Sequence, residues 1–81
     1  MIGEKEIYTA LNKIFSDIFD EKITLTADTT ADDIEDWDSL EHINIINAVE
    51  KRFKMKFRMG EISSMKNVGE MVRIISERSG L

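Results

Sequence analysis

The chain has no cysteine and no proline, one histidine, one tryptophan and only four glycines among its 81 residues. Without cysteine there can be no disulfide staple and no thiolate metal site, so a single apolar core has to hold the fold. Basic residues are also in short supply: 11 against 16 acids leave a net charge of −5. Binding nucleic acid requires a basic face to neutralise phosphates, so this deficit argues against it and favours partners with basic surfaces. No apolar run approaches the ~20 residues of a membrane span. The opening Met1-Ile2-Gly3-Glu4-Lys5-Glu6 lacks the basic start and apolar stretch of a secretion signal. The expectation is a cytoplasmic protein with neither a membrane span nor a nucleic-acid partner. The composition offers no account of the missing proline.

What is present is a globular composition, 42% hydrophobic and 33% charged. The length suits one domain over residues 1–81, near the lower limit for folding unaided. Fully burying a Leu, Ile or Phe side chain contributes roughly 1.5–3 kcal/mol, and ordering each residue costs about 1–2 kcal/mol of backbone entropy. With so small a margin, a deep active-site cavity is costly, which argues against an enzyme.

Residues 4–19 carry the stripe Ile7, Leu11, Ile14, Phe15 and Ile18, with Tyr8 and Phe19 on its margin, and this predicts an amphipathic helix. Asn12 and Ser16 fall with Glu4, Glu6, Lys13 and Asp17 on the opposite face. Asp20 to Trp37 sustains no stripe. That makes a loop longer than the usual ~12–15 residues, and such loops are generally functional or packed by their own side chains. Ile23, Leu25, Ile34 and Trp37 are its candidate anchors. Asp38, with Glu41 three residues on, resembles a capping box and starts a helix over 39–53, whose stripe is His42, Ile45, Ile46, Val49 and Phe53. Ile43 and Glu50 fall between its two faces. A basic connector bearing Met55 and Phe57 leads to a short helical turn over 59–64. Asn67 and Glu70 make a second capping pair for a last helix over 67–78, with Val68, Met71, Val72 and Ile75 inward. The predicted fold class is all-α: a small four-helix bundle, three main helices plus one short one, with a long first loop.

Ser39 is the candidate functional residue, and four chemistries compete for its neighbourhood. As the acceptor of a phosphodiester-linked group it sits where unpaired N–H groups and the helix dipole favour an anion; against this, serine is common at helix starts for capping alone. A Ser39–His42 dyad shares a helix face, yet there is no G-x-S-x-G elbow, no oxyanion loop and no second histidine. Calcium binding from Asp28 fails, because Asp33 stands where glycine is needed and Ser39 where the bidentate glutamate belongs. The remaining alternative is an acidic helical protein–protein interaction module without a prosthetic group, using Met55, Met59, Met65 and Met71 as an adaptable surface.

Asp38-Ser39-Leu40, placed after a long first loop at the start of the second helix, resembles the acyl carrier protein family. The likeness continues through Ile45, Ile46, Val49, Glu50 and Phe53, then Met55, Phe57, Glu61 and Val68 to Ile75. The resemblance implies a non-catalytic carrier holding an acyl group as a thioester on a covalent 4′-phosphopantetheine arm at Ser39, with Asp38 capping the helix beside the site. It implies a docking face of Leu40, Glu41, Asn44, Asn47 and Glu61; an interior of Ile46, Val49, Phe53 and Ile62 could shelter a bound chain, though core packing alone accounts for those four residues equally well. The implied partners are a phosphopantetheinyl transferase and the acyl-activating, acyl-transfer or condensing enzymes of fatty acid or polyketide biosynthesis, acting on a monomer. Two features depart from the family pattern. Asp36 stands where glycine is frequent, with Trp37 after it. The acids also crowd from Asp28 to Glu41, while Lys51, Arg52, Lys54, Lys56 and Arg58 make the far end basic.

Overall fold

The computed structural model describes residues 3–80; residues 1, 2 and 81, which the one-domain expectation includes, lie outside the described residues. Four α-helices follow one another, α1 (Glu4–Phe19), α2 (Ser39–Phe53), α3 (Met59–Ser64) and α4 (Val68–Arg78), with one 3-10 turn (Ala31–Asp33) inside the long first loop. There is no strand among the described residues, so the all-α fold class holds. No helix among them is long and apolar enough to cross a membrane.

Helix α1 forms because its apolar residues recur at helical spacing. Ile7, Leu11 and Phe15 are fully buried, Ala10 joins them, and Tyr8, Ile14, Ile18 and Phe19 pack on the margin. It packs against α2 and α4. It stops at Asp20, which takes the left-handed conformation (φ 53°, ψ 40°) that Asp tolerates better than most residues. Helix α2 contributes Ile45, Ile46, Val49 and Phe53, and α4 contributes Val68, Met71, Val72, Ile74 and Ile75. Each of those last two helices begins with a side-chain cap: Glu41 N–H donates to Asp38 Oδ1 at 2.9 Å, and Glu70 N–H to Asn67 Oδ1 at 3.0 Å.

The long loop is folded onto the helices rather than left free. Ile23 and Leu25 are buried in the core. Their backbone N–H groups donate to Ser16 Oγ at 2.9 Å and Asn12 Oδ1 at 2.8 Å. Helical spacing puts Asn12 and Ser16 on the solvent face; instead they are half-buried, because the loop covers that side of α1 and its buried donors need acceptors there. Further on, Val68 N–H donates to Thr29 O at 2.8 Å and Gly69 N–H to Ala27 O at 2.9 Å. Loop carbonyls thus satisfy two of the N–H groups that the start of α4 leaves without helical partners.

Short and outlying, α3 has no buried residue; Ile62 alone among its members packs partly against the core. Side-chain bonds tie it down. Arg58 N–H donates to Glu61 Oε1 at 2.8 Å, and the Arg78 guanidinium from the end of α4 grips both Glu61 carboxylate oxygens.

Candidate functional site

Ser39 is the first residue of α2, and Asp38 is the cap before it (φ −102°, ψ −173°). Asp38 therefore supplies the capping oxygen, and the Ser39 side chain is exposed with no hydrogen-bond partner among the described residues. The reciprocal half of the suggested capping box is not made. Glu41 accepts from Asn44 Nδ2 at 2.7 Å, while Asp38 N–H turns back to Asp36 O at 2.9 Å. That tight turn sets the lead-in: Asp36 has φ 72°, the left-handed region. Glycine enters this region freely, and Asp tolerates it. The position where glycine is frequent in the family thus holds a residue that tolerates the left-handed conformation found here.

Trp37 fixes the other side of the lead-in. Its ring meets buried Phe15 edge-on, with centroids 5.1 Å apart at 84°. Its indole N–H donates to His42 Nδ1 at 3.2 Å. Because indole is only a donor, Nδ1 is the acceptor and the ring proton sits on Nε2, where it donates to Ile62 O in α3 at 3.1 Å. With both nitrogens engaged, His42 has none left to take a proton from Ser39, which removes the dyad.

A cavity of about 500 Å³ opens beside Ser39, lined by Trp37, His42, Ile43, Ile62 and Met71 among others. It lies between the starts of α2 and α4, with α3 as one wall. The residues present fit a group attached at Ser39: an exposed hydroxyl without a partner, at a helix start whose N–H groups favour a phosphodiester, beside a mostly apolar cleft. Among the described residues, no group of three or more His, Asp or Glu side chains is gathered to hold a metal ion.

Of the proposed docking residues, Leu40 is 67% exposed, Asn44 and Asn47 are exposed, and Glu41 is half-buried. Glu61 is half-buried in its ion pair with Arg78, which, together with the Arg58 N–H, holds its carboxyl at about 2, below the ordinary 4.5. Two further large apolar side chains that periodicity did not single out are exposed, Ile43 in α2 at 53% and Met59 at the start of α3 at 86%. A β-branched residue midway between two helix faces, and a methionine at the first position of a short helix, are the signals that mark them. No local signal announces the Glu61–Arg78 pair, whose members lie 17 residues apart.

No family model matches the chain, and no curated protein matches it. Among solved structures, the solution NMR structure of a holo acyl carrier protein from Geobacter metallireducens is 42% identical, with a TM-score of 0.81, over 88% of this chain and 83% of that one. At that identity and coverage, with Asp38-Ser39-Leu40 opening α2 after a long packed loop, the chain belongs to the acyl carrier protein family and is a carrier protein.

Proposed function

We propose that the protein carries an acyl group as a thioester on a 4′-phosphopantetheine arm attached to Ser39 and presents it to biosynthetic enzymes. The observation that carries this is the division of labour at the start of α2. Asp38 does the capping, so the structural reason for a serine there is gone, and Ser39 keeps a free, exposed hydroxyl. The likeness to a holo carrier supports the same reading. When bound, the arm supplies a thiol, the nucleophile that takes up and gives back the acyl group.

The chain's own residues hold and present. Asp38 keeps the helix start in register, the N–H groups of the first turn of α2 would hold the charge of the phosphodiester, and Trp37 and His42 keep the lead-in against the core. Catalysis is left to the partners: a phosphopantetheinyl transferase to attach the arm, then acyl-activating, acyl-transfer or condensing enzymes, all meeting a single-domain cytoplasmic monomer. Leu40, Glu41, Asn44 and Asn47 form the centre of the docking face. Glu61, already committed to Arg78, acts at its edge by holding α3.

Co-expression with a phosphopantetheinyl transferase is expected to add the mass of one arm, and Ser39→Ala to abolish the gain while leaving stability within about ±0.5 kcal/mol, as for an exposed residue without partners. A chain left unmodified by transferases of differing specificity overturns the reading.

A further inference from the structure

Helix α3 is walled onto the cleft by side-chain bonds rather than by burial. At its start, Glu61 is held by Arg78 and by the Arg58 N–H. Toward its end the tie is His42: Nε2–H donates to Ile62 O, one of the last carbonyls of a six-residue helix and so without a helical partner. The same ring accepts from Trp37, two residues before Ser39. One imidazole therefore joins three pieces, the lead-in to Ser39, α2 and α3, and all of them line the one cleft.

We propose that His42 is a positioning residue that clamps α3 to the lead-in of Ser39 and so keeps the cleft wall in place for the group carried there. The proposal rests on the carrier reading given above. The clamp is specific to one form of the ring. Only the neutral imidazole with its proton on Nε2 offers an acceptor to Trp37 and a donor to Ile62 together. Leucine fills similar volume and makes neither bond. A glutamine amide presents a carbonyl oxygen and an N–H with a spacing much like that of the two ring nitrogens, so it can replace both. Without the clamp, the Ile62 end of α3 keeps its partial burial and, just beyond it, the packing of Met65 and the Lys66 N–H bond to Glu70 Oε2 at 2.6 Å, but it loses its one tie to the lead-in, and the cleft wall beside Ser39 loosens.

The test uses the arm-bearing protein loaded with a butanoyl group, whose thioester is cleaved by hydroxylamine to the hydroxamate and the free thiol. A walled cleft shields the thioester. Cleavage is therefore expected to be severalfold faster in His42→Leu than in the wild type, and to return to the wild-type rate in His42→Gln. Trp37→Phe keeps a ring against Phe15 while removing the indole N–H, and serves if His42→Leu fails to fold; its rate is expected to lie between the two. Equal rates in wild type, His42→Leu and Trp37→Phe overturn the clamp, even where thermal stability has dropped. If the wild type accepts no arm, it is the carrier reading that fails, and the clamp is then judged on the unmodified protein. Hydrogen exchange at the Ser63, Ser64 and Met65 amides must speed up in His42→Leu and slow again in His42→Gln, and unchanged exchange overturns it.

Discussion

Asp36 shows how a single backbone angle constrains the approach to the site. At φ 72° its Cβ crowds the following carbonyl, a conformation that costs an L-residue roughly 1–2 kcal/mol and Asp somewhat less. Asp36→Gly removes that strain but adds unfolded-chain freedom worth about 0.5–1 kcal/mol. The net expectation is a gain of less than about 1 kcal/mol, seen as a higher urea midpoint at unchanged slope; a loss of stability would show that the Asp36 side chain holds the turn. At this scale the sequence was informative where a side chain meets its own neighbourhood. Asp38 and Asn67 cap as their spacing predicts, because a cap is decided within three residues. The Asp36 angle was not legible, since nothing local distinguishes a left-handed Asp from any loop Asp. Nor was the Trp37–His42–Ile62 relay, which needs α3 folded beside α2.

Between elements, polar ties settle what burial leaves open. Gly69 sits where the first loop crosses the start of α4, and a Cβ there would lie 3.0 Å from Ala27 O and 3.1 Å from Ala27 Cβ. Alanine contributes up to about 1 kcal/mol of helix propensity over glycine, but overpacking costs about 1–3 kcal/mol, and the loop is pinned by two backbone bonds. Gly69→Ala is therefore expected to lose about 1 kcal/mol net, with the amides of residues 68 and 69, which bond to the loop, exchanging faster. The Glu61–Arg78 pair gives a pH signature. The Glu61 carboxyl stands at about 2 when folded against an ordinary 4.5. The folded form thus favours the ionised state, and its contribution is complete above about 4.5 and lost as pH falls toward 2. Thermal midpoints of wild type and Glu61→Gln should differ at neutral pH and converge across that window; a constant gap would mean that the pair does not stabilise α3. The helical stripes of α1, α2 and α4 were readable because each face is buried on its own period. The roles of Asn12 and Ser16 were hidden because the covering element is a loop with no period at all.

The whole molecule is as compact as a folded chain of its length should be: its radius of gyration is 11.5 Å, against about 11.7 Å expected. Its charge is far less even than its net value suggests. Exposed acids run from Asp28 to Asp38 with Glu41 beyond, and exposed bases occupy Lys51, Arg52, Lys54, Lys56 and Arg58, so α2 has an acidic start and a basic end. A partner surface with the opposite polarity fits this face in one orientation. Reversing Glu41 or Lys51 is expected to weaken binding to a native partner severalfold at low salt, with the difference shrinking as ionic strength rises and the Debye length falls to about 8 Å at physiological salt. Affinities that stay unchanged across the salt series would rule out bipolar docking. The fold class was legible as a whole because length, periodicity and the position of the Asp-Ser-Leu run agree on one architecture. The identity of the cargo was not, because no motif in the chain names a particular acyl group.

Trp37 is the only tryptophan in the chain, and it lies two residues before Ser39 with its N–H on His42 and its edge on Phe15. Its emission is consequently a native optical gauge of the site: the proposed attachment at Ser39 and the proposed release of the imidazole would both change the surroundings of the same indole, so each can be followed in real time without a label.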